Sequence, residues 1–504
     1  MKVFLLGAGP GDPGLLTVKA RDVLADADVI VYDALAFEGL LALASPKAER
    51  IYAGKVAGNH ALPQEQINAL LVGKAREGKI VARLKGGDPY IFGRGGEEGE
   101  ALHAAGVPFE EVPGVSSAIA APAYAGIPLT HRDFSSSVTI VTGHENPGKE
   151  KSAHNWQALA QSASTLVFVM GMANLPRIAE NLINAGLDPQ TPAALIHRGT
   201  TPRQRSLIST VAQLPEAARD KDFASPSVVV VGGVAGFAEK LNWFERKPLF
   251  GKSVVVTRAR AQASGIAADL AGLGAEVLEF PTIEIRPPAD FSALDSAVAF
   301  LAEYDWIIFT SGNGVRSFFD RLAFAAKDSR ALAGCKVAAI GPATAGALGA
   351  YGIRADFVPE CFVAESVADG LLRAAQLKGR RVLLPRAARA RDVLPQELRK
   401  AGARVDVITA YETVPAKVCK DEILSRLAEG SLDCVSFGSS STVENFLAQV
   451  PADVVRQSGA RLAAIGPVTA GTLRDNTLEC HIMPREYTIP ALVEAIKDFF
   501  APCP

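Results

Sequence analysis

KVFLL at 2–6, followed by GAGPGDPG at 7–14 and LLTVKARDVLADA at 15–27, sets a pattern that the first half of this chain repeats. An apolar, β-rich run ends in a loop of Gly, Asp or Pro, and a stretch of helical character usually follows. By the same pattern, a predicted strand over 29–32 ends at Asp33 and one over 50–54 ends at Lys55. A run over 80–84 enters KGGDP at 85–89, and a run over 109–112 enters PGVSS at 113–117. Further runs over 138–142, 166–169, 194–197 and 228–231 meet Gly143–His144, Met170–Gly171, Arg198–Gly199–Thr200 and Gly232–Gly233. Strand-then-helix alternation predicts an α/β architecture. The unusual residues fall at the C-terminal ends of the predicted strands, where open α/β sheets place their ligands. Turns account for glycines there, but not for Asp33, Lys55 and Asp88 at corresponding positions.

Length and composition bound the rest. The chain has 504 residues, which suggests about three or four domains. It is 48% hydrophobic and 21% charged, so those domains can build cores. Lys plus Arg is 52 and Asp plus Glu is 54, a formal charge of −2. That balance argues against a nucleic-acid footprint over the whole chain. The N-terminal apolar run is too short for a signal-peptide core, and no stretch reaches the roughly 18 apolar residues of a membrane span. A cytoplasmic protein without a membrane partner is expected. The six cysteines lie in the second half, form no CxxC pair and do not cluster with the seven histidines. Cys480–His481 alone makes no metal site, so reduced, mostly buried thiols and no metal are expected.

LNWFERKPLFG at 241–251 breaks the rhythm and reads as a linker, centred on 246–250, with aromatics able to dock on a domain. Beyond it the chain repeats itself. VVVTRARAQASGIAADLAGLGAEVLEFPTIEI (254–285) aligns without gaps to VLLPRAARARDVLPQELRKAGARVDVITAYET (382–413), an offset of 128 residues. The same offset pairs FTSGNGVRSF (309–318) with FGSSSTVENF (437–446). AAIGPATAGAL (338–348) recurs as AAIGPVTAGTL (463–473), three residues closer. The period is far too long for a solenoid and reads as two related α/β domains.

GPGDPG at 9–14 satisfies the GxGxxG pattern, and Asp33 at the end of the next predicted strand completes a dinucleotide fingerprint. Pro10 and Pro13, however, remove two backbone donors from the loop that would cradle a pyrophosphate. This disfavours a nicotinamide site and leaves a tight turn or a site for another nucleoside-bearing ligand. The ordered set of GAGPGDPGLLTVKA (7–20), VIVYDAL (29–35), LKGGDPYIFGRGGEE (84–98), VPGVSS (112–117), GIPLTHRDFSSSVTIVTGH (126–144) and FVMG (168–171) closely resembles uroporphyrinogen-III C-methyltransferase of the tetrapyrrole methylase family, over about 1–245. The repeat, RARAQA at 258–263, FPTIEI at 280–285 and the two AAIGP blocks are similar to uroporphyrinogen-III synthase over about 251–504. The chain looks like a fusion of the two.

The resemblance implies a first half of two α/β domains with S-adenosylmethionine in their cleft. Carried over residue by residue, its ligand contacts are Pro10, Gly86, Gly87, Asp88, Ile91, Ser116, Ser117, Met170 and Gly199. Ser116 and Ser117 stand where the family usually shows Thr-Ala. Glycines let a backbone approach the ligand, and Asp88 can accept hydrogen bonds from a ribose or ammonium group or cap a helix. The resemblance makes Asp33 the proton acceptor and Lys55 the donor; an ion pair or cap is the structural alternative for each. An octa-carboxylate substrate calls for local positive charge, with Arg94, His131 and Arg132 as candidates; a solvated loop face or a structural ion pair is the alternative.

For the second half the family implies two similar α/β domains joined by two extended crossings, near 283–286 and 411–413. One domain would span 287–410 and the other 251–282 with 414–504. The implied reaction closes hydroxymethylbilane to uroporphyrinogen III with loss of water. Arg258, Arg260 and Arg386 are candidates for substrate carboxylates. Thr310, Ser311, Thr344, Ser439, Ser440 and Thr469 offer hydroxyl and amide donors, although such residues after strands usually cap helices. Tyr411 matches the family's recurrent cleft tyrosine and would assist loss of the hydroxyl group. The whole chain is then expected to cyclise hydroxymethylbilane and to methylate the product twice, at C2 and C7, to precorrin-2, as a homodimer through its methyltransferase half. The alternative is a methyltransferase carrying a non-catalytic tetrapyrrole-binding module.

Overall fold

The structure, a computed structural model, describes residues 2–33, 38–54, 62–144, 154–162, 165–257, 260–359, 377–390, 392–416 and 420–501. Strands β1 (Lys2–Gly7), β2 (Val29–Tyr32), β3 (Glu49–Tyr52), β4 (Ile80–Lys85) and β5 (Phe109–Val112) make one sheet in the order β3-β2-β4-β1-β5. Every pairing in it is parallel. Parallel strands covered on both faces need apolar residues at nearly every position, which is why β1 and β2 read as continuous apolar runs. On one face Val3, Leu5 and Val81 meet Leu71 of helix Gln64–Arg76 and Leu102 of helix Gly95–Ala104. On the other, Leu6, Ala82 and Leu84 meet Ala20 and Leu24 of helix Val18–Asp26.

The second sheet departs from the strand–helix alternation. β6 (Val138–Thr142), β7 (Thr165–Val169), β8 (Pro192–His197), β9 (Arg205–Thr210) and β10 (Ser227–Val231) lie in the order β6-β7-β10-β8-β9. Only β6–β7 is parallel; β7–β10, β10–β8 and β8–β9 are antiparallel. β9 corrects the sequence expectation, which has no strand over RSLIST. It lies at the sheet edge with one buried residue, Leu207, so it lacks the apolar run of the buried strands β7, β8 and β10. Helix Ser117–Tyr124, which follows β5, packs Ala118 and Ala121 against Val167, Val169 and Val228 of this second sheet. The chain after β10 stays with this half: Phe244 and Leu249 are buried. The compact N-terminal unit runs through Ser253 and also takes in 269–276 and the segment from Lys497 onward.

The other unit carries β11 (Ser253–Val256), β12 (Glu276–Glu279), β13 (Ile283–Arg286), β14 (Trp306–Phe309), β15 (Lys336–Ala339), β16 (Arg381–Ala387), β17 (Arg404–Pro415), β18 (Cys434–Phe437) and β19 (Arg461–Ala464). Its sheets have the orders β12-β11-β18-β19 and β13-β17-β16-β14-β15. The sequence repeat runs β11 to β15 and then β16 to β19, with β13 matching the end of β17, so each sheet takes strands from both copies. The registers match: Val254 faces Cys434 in one sheet and Val382 faces Trp306 in the other. The bridges Ala338–Phe357 and Ala463–Ile482 match likewise. The chain crosses between the sheets where β13 runs antiparallel to the end of β17, with Ile283 opposite Pro415 and Arg286 opposite Glu412.

Among the described residues no helix is long and apolar enough to cross a membrane. No group of three or more His, Cys, Asp or Glu among them is placed to hold a metal ion. Cys434 is buried, and Cys335 and Cys480 are half-buried; all three are free thiols. Burial pushes the Cys335 thiol up to about 12.

Candidate functional site

Three loops at the C-terminal edge of the first sheet meet through glycine backbones. Gly9 and Gly87 exchange backbone hydrogen bonds of 3.2 and 2.7 Å. A Cβ on Gly114 would lie 2.2 Å from the Gly87 carbonyl oxygen and 2.7 Å from the Gly7 Cα. Gly87 itself has φ +66°, a conformation open to glycine at no steric cost. The loops after β1, β4 and β5 are thus drawn together at a point that admits no side chain. Replacing Gly114 by alanine is expected to destabilise the N-terminal unit by about 1–3 kcal/mol. Hydrogen exchange of β1 and β4 amides would read it, and unchanged protection there would refute the close contact.

Around this point the candidate ligand contacts gather. Pro10 sits in the first loop, half-exposed, and Ile91 is exposed in the second. The Asp88 carboxylate holds its own loop: Oδ1 accepts from the amides of Tyr90 (2.8 Å) and Ile91 (3.1 Å), and Oδ2 from Gly114 (3.1 Å). Its geometry is that of a loop clamp, joining the β4 and β5 loops. Ser116 caps helix Ser117–Tyr124, its hydroxyl accepting from the Ala118 amide at 3.3 Å. Gly199 packs on that same helix, since a Cβ there would stand 2.3 Å from the Ala121 Cβ. Met170 ends β7 in a left-handed conformation, φ +54°, with its side chain exposed. Backbone strain of this kind costs about 1–3 kcal/mol and collects at ligand sites.

Asp33 follows β2, and its Oδ2 lies 3.6 Å from Nη2 of Arg83. Arg83 belongs to a buried charge cluster that sequence reasoning missed. Glu98, fully buried on helix Gly95–Ala104, receives three donors on Oε1: Arg83 Nε (3.2 Å), Lys85 Nζ (2.9 Å) and Gln64 Nε2 (3.2 Å). Its Oε2 has no hydrogen-bond partner among the described residues. Burial pushes the Lys85 ammonium below its ordinary value; Arg83 adds to this, and Glu98 and Asp33 oppose it. A signal existed: IVARLK (80–85) puts two cations on one face of a strand otherwise apolar throughout. Lys55 lies outside the described residues.

Of the carboxylate-binding candidates, Arg94 is paired in a fork with Glu97 at 2.8 and 2.6 Å, on the exposed start of its helix. His131 stacks on Phe237 with centroids 4.7 Å apart, and its Nδ1 accepts from the Asp133 amide at 3.2 Å. Arg132 beside it is exposed. The histidine is a partly buried packing residue, while the arginine presents its charge to solvent.

In the C-terminal unit the repeat gives paired residues the same local work. Ser311 caps helix Gly312–Phe324 and Ser439 caps helix Ser440–Leu447. Thr344 and Thr469, each 4% exposed, sit in the first turns of matching helices. Ser440 Oγ donates to the Val468 carbonyl at 3.4 Å. Thr310, at the end of β14, is half-exposed. Arg386 ends β16 in an ion pair with Asp392. Arg260 opens helix Arg260–Gly272, and Arg258 lies outside the described residues. One contact breaks the symmetry: the Tyr411 hydroxyl shares a hydrogen bond of 2.9 Å with Ser311 Oγ. Tyr411 is 9% exposed, so its hydroxyl is held at a fixed place on the crossing strand.

The family model described as tetrapyrrole (corrin/porphyrin) methylases matches residues 2–215, and that described as uroporphyrinogen-III synthase HemD matches 264–494. The porphyrin biosynthesis protein HemD of Ruminiclostridium josui is 39% identical over 98% of this chain and 97% of its own length. The S-adenosyl-L-methionine-dependent uroporphyrinogen III methyltransferase of Methanosarcina barkeri is 52% identical over 46% of this chain and 91% of its own. A crystal structure of uroporphyrin-III C-methyltransferase from Thermus thermophilus, complexed with S-adenosylhomocysteine, is 39% identical, covers 47% of this chain and 99% of its own, and has a TM-score of 0.41. With a relative matched across both halves, the chain belongs to the family in which a tetrapyrrole methylase is fused to a uroporphyrinogen-III synthase, and is an enzyme of tetrapyrrole biosynthesis.

Proposed function

We propose that the C-terminal half closes hydroxymethylbilane to uroporphyrinogen III with inversion of ring D. The N-terminal half then methylates that product at C2 and C7 to give precorrin-2. Residues 1–245 and 251–504 carry the two activities, in a cytoplasmic homodimer formed through the methyltransferase half. The observation that supports the reading most is the meeting of the β1, β4 and β5 loops through the backbones of Gly7, Gly87 and Gly114, with Asp33 at a neighbouring strand end. Close packing of these backbones draws the loops together, and the loops of Pro10, Gly86–Ile91 and Ser116–Ser117, with Met170 and Gly199, would hold S-adenosylmethionine.

When bound, S-adenosylmethionine supplies an electrophilic methyl group. The chain's own task is alignment, since methyl transfer to an electron-rich pyrrole carbon needs positioning more than covalent help. Asp33 accepts the proton that the methylated ring must lose, its carboxylate oriented by Arg83. In the other half the Tyr411 hydroxyl, fixed by Ser311, assists departure of the substrate hydroxyl as water.

The test is an anaerobic incubation of the whole chain with hydroxymethylbilane and S-adenosylmethionine, followed by mass spectrometry. A dimethylated macrocycle is expected, with the III isomer as its precursor when the methyl donor is omitted. Unmethylated I isomer alone, the product of spontaneous closure, would remove the synthase assignment and favour a binding module. Preformed III isomer left unmethylated would remove the methyltransferase assignment.

A further inference from the structure

The segment after the last strand of the N-terminal half is wired to the first loop. Gly126, φ +73°, lets the backbone come so close that a Cβ there would lie 2.2 Å from the Leu241 carbonyl carbon. Trp243 Nε1 donates to the Ala123 carbonyl at 3.2 Å, and the rings of Trp243 and Phe244 pack on Tyr124 at 5.0 and 4.8 Å. Glu245 Oε1 accepts from Gln204 Nε2 at 2.9 Å and from Ser206 Oγ at 2.6 Å. Gln204, 2% exposed, uses its own Oε1 to accept from the Thr200 amide at 2.8 Å. Thr200, 1% exposed, has φ +70°, an outlier for a β-branched residue that persists only where its surroundings over-determine it. Its Oγ1 accepts from the Asp12 amide at 3.1 Å. Asp12 Oδ2 in turn accepts from the Tyr124 hydroxyl at 2.6 Å, from the tyrosine beneath Trp243 and Phe244. Two routes therefore leave 243–245 and end on one residue, two positions from Pro10.

We propose that Glu245 is a positioning residue for the loop that carries Pro10. Through Gln204 and Thr200 it fixes Asp12, so the segment joining the two halves is part of the scaffold of the methyl-donor site. The inference rests on the reading of that loop as a wall of the S-adenosylmethionine pocket. Its logic is that of any preorganised site, where a polar shell behind the contacts holds them in place. Nothing in the methyl transfer itself requires Glu245, which makes the consequence specific to loop geometry.

The experiment uses the full chain and titrates S-adenosylhomocysteine by calorimetry. Glu245→Ala is expected to weaken binding about tenfold, equivalent to about 1.4 kcal/mol. Glu245→Gln, which keeps an acceptor oxygen, restores most of it. Thr200→Val, which keeps the β-branch and deletes the acceptor, weakens binding similarly, and the double variant is no worse than either single one, because both cut the same path. Hydrogen exchange is measured in parallel: amides of 8–16 exchange faster in Glu245→Ala, while those of β8 do not. Unchanged affinity in Glu245→Ala, with binding to the unsubstituted chain intact, overturns the proposal. Absence of binding to the unsubstituted chain overturns the pocket reading instead. The exchange of 8–16 then still decides the relay: faster exchange upholds it and unchanged exchange removes it.

Discussion

With Asp33 replaced by asparagine, the chain is expected to lose methyl transfer by about 10²–10⁴-fold, the usual contribution of a positioned acid or base. Asparagine keeps the shape of the side chain and removes its basicity, so the loss reads proton acceptance more than packing. Asp33 follows β2, outside the β1, β4 and β5 loops that meet through the glycines, and its Oδ2 lies 3.6 Å from Arg83 Nη2. Binding of S-adenosylhomocysteine should accordingly survive the substitution. Single-turnover formation of the dimethylated macrocycle gives the rate and calorimetry gives the affinity. A fall in rate below about threefold would take Asp33 out of the mechanism. Lost affinity with an unchanged rate at saturation would make it a ligand contact instead.

Replacing Glu98 by alanine is expected to cost about 3–5 kcal/mol, the typical result of removing one partner from a buried ionic cluster. The carboxylate is fully buried, and Arg83 and Lys85 are 3% and 4% exposed, so the substitution leaves two buried cations with Asp33, 3.6 Å from Arg83, as their remaining counter-charge. At about 1.4 kcal/mol per factor of ten, β4 amides that open with the unit should exchange about 10²–10⁴-fold faster. Removing all three charges together, as Glu98→Leu with Arg83→Met and Lys85→Met, should recover most of that loss, because apolar side chains avoid the desolvation cost. The triple variant should remain poor at methyl transfer, since Asp33 loses Arg83. If Glu98→Ala leaves the exchange of β4 unchanged, the cluster is not the electrostatic unit its distances indicate.

These charges show where sequence reading stops. Arg83 and Lys85 alternate with apolar residues on β4, a pattern that ordinarily means a solvated face. What reverses it is a helix whose Glu98 lies 13 and 15 residues further along. Asp88 shows the same limit: its position after a strand marks it as functional, yet only the folded loops reveal both oxygens clamping backbone amides. The helix caps at Ser311 and Ser439 were legible as alternatives, because a hydroxyl just after a strand is chemically suited to both jobs.

By itself the sequence determined what local physics sets. β2, β5 and β6 fall at the residues the sequence pattern gives them; in β2 a buried parallel strand needs its apolar run, and Gly, Asp or Pro follow within two residues of each strand's end. The 128-residue repeat likewise determined which strands of the second unit are alike. Tertiary structure alone decided the rest. β9 has no apolar run of its own and exists because β8 offers it an edge. Residue pattern alone does not say whether the repeat forms two self-contained copies; the family resemblance implies domains over 287–410 and over 251–282 with 414–504, and β11 pairs with β18 and β14 with β16. Strand pairing is a long-range hydrogen-bonding choice that side-chain pattern cannot encode between equivalent partners, and the antiparallel crossing of β13 on β17 makes it. The polar relay from Glu245 to Asp12 is of the same kind, a set of buried donors and acceptors matched only once distant loops meet.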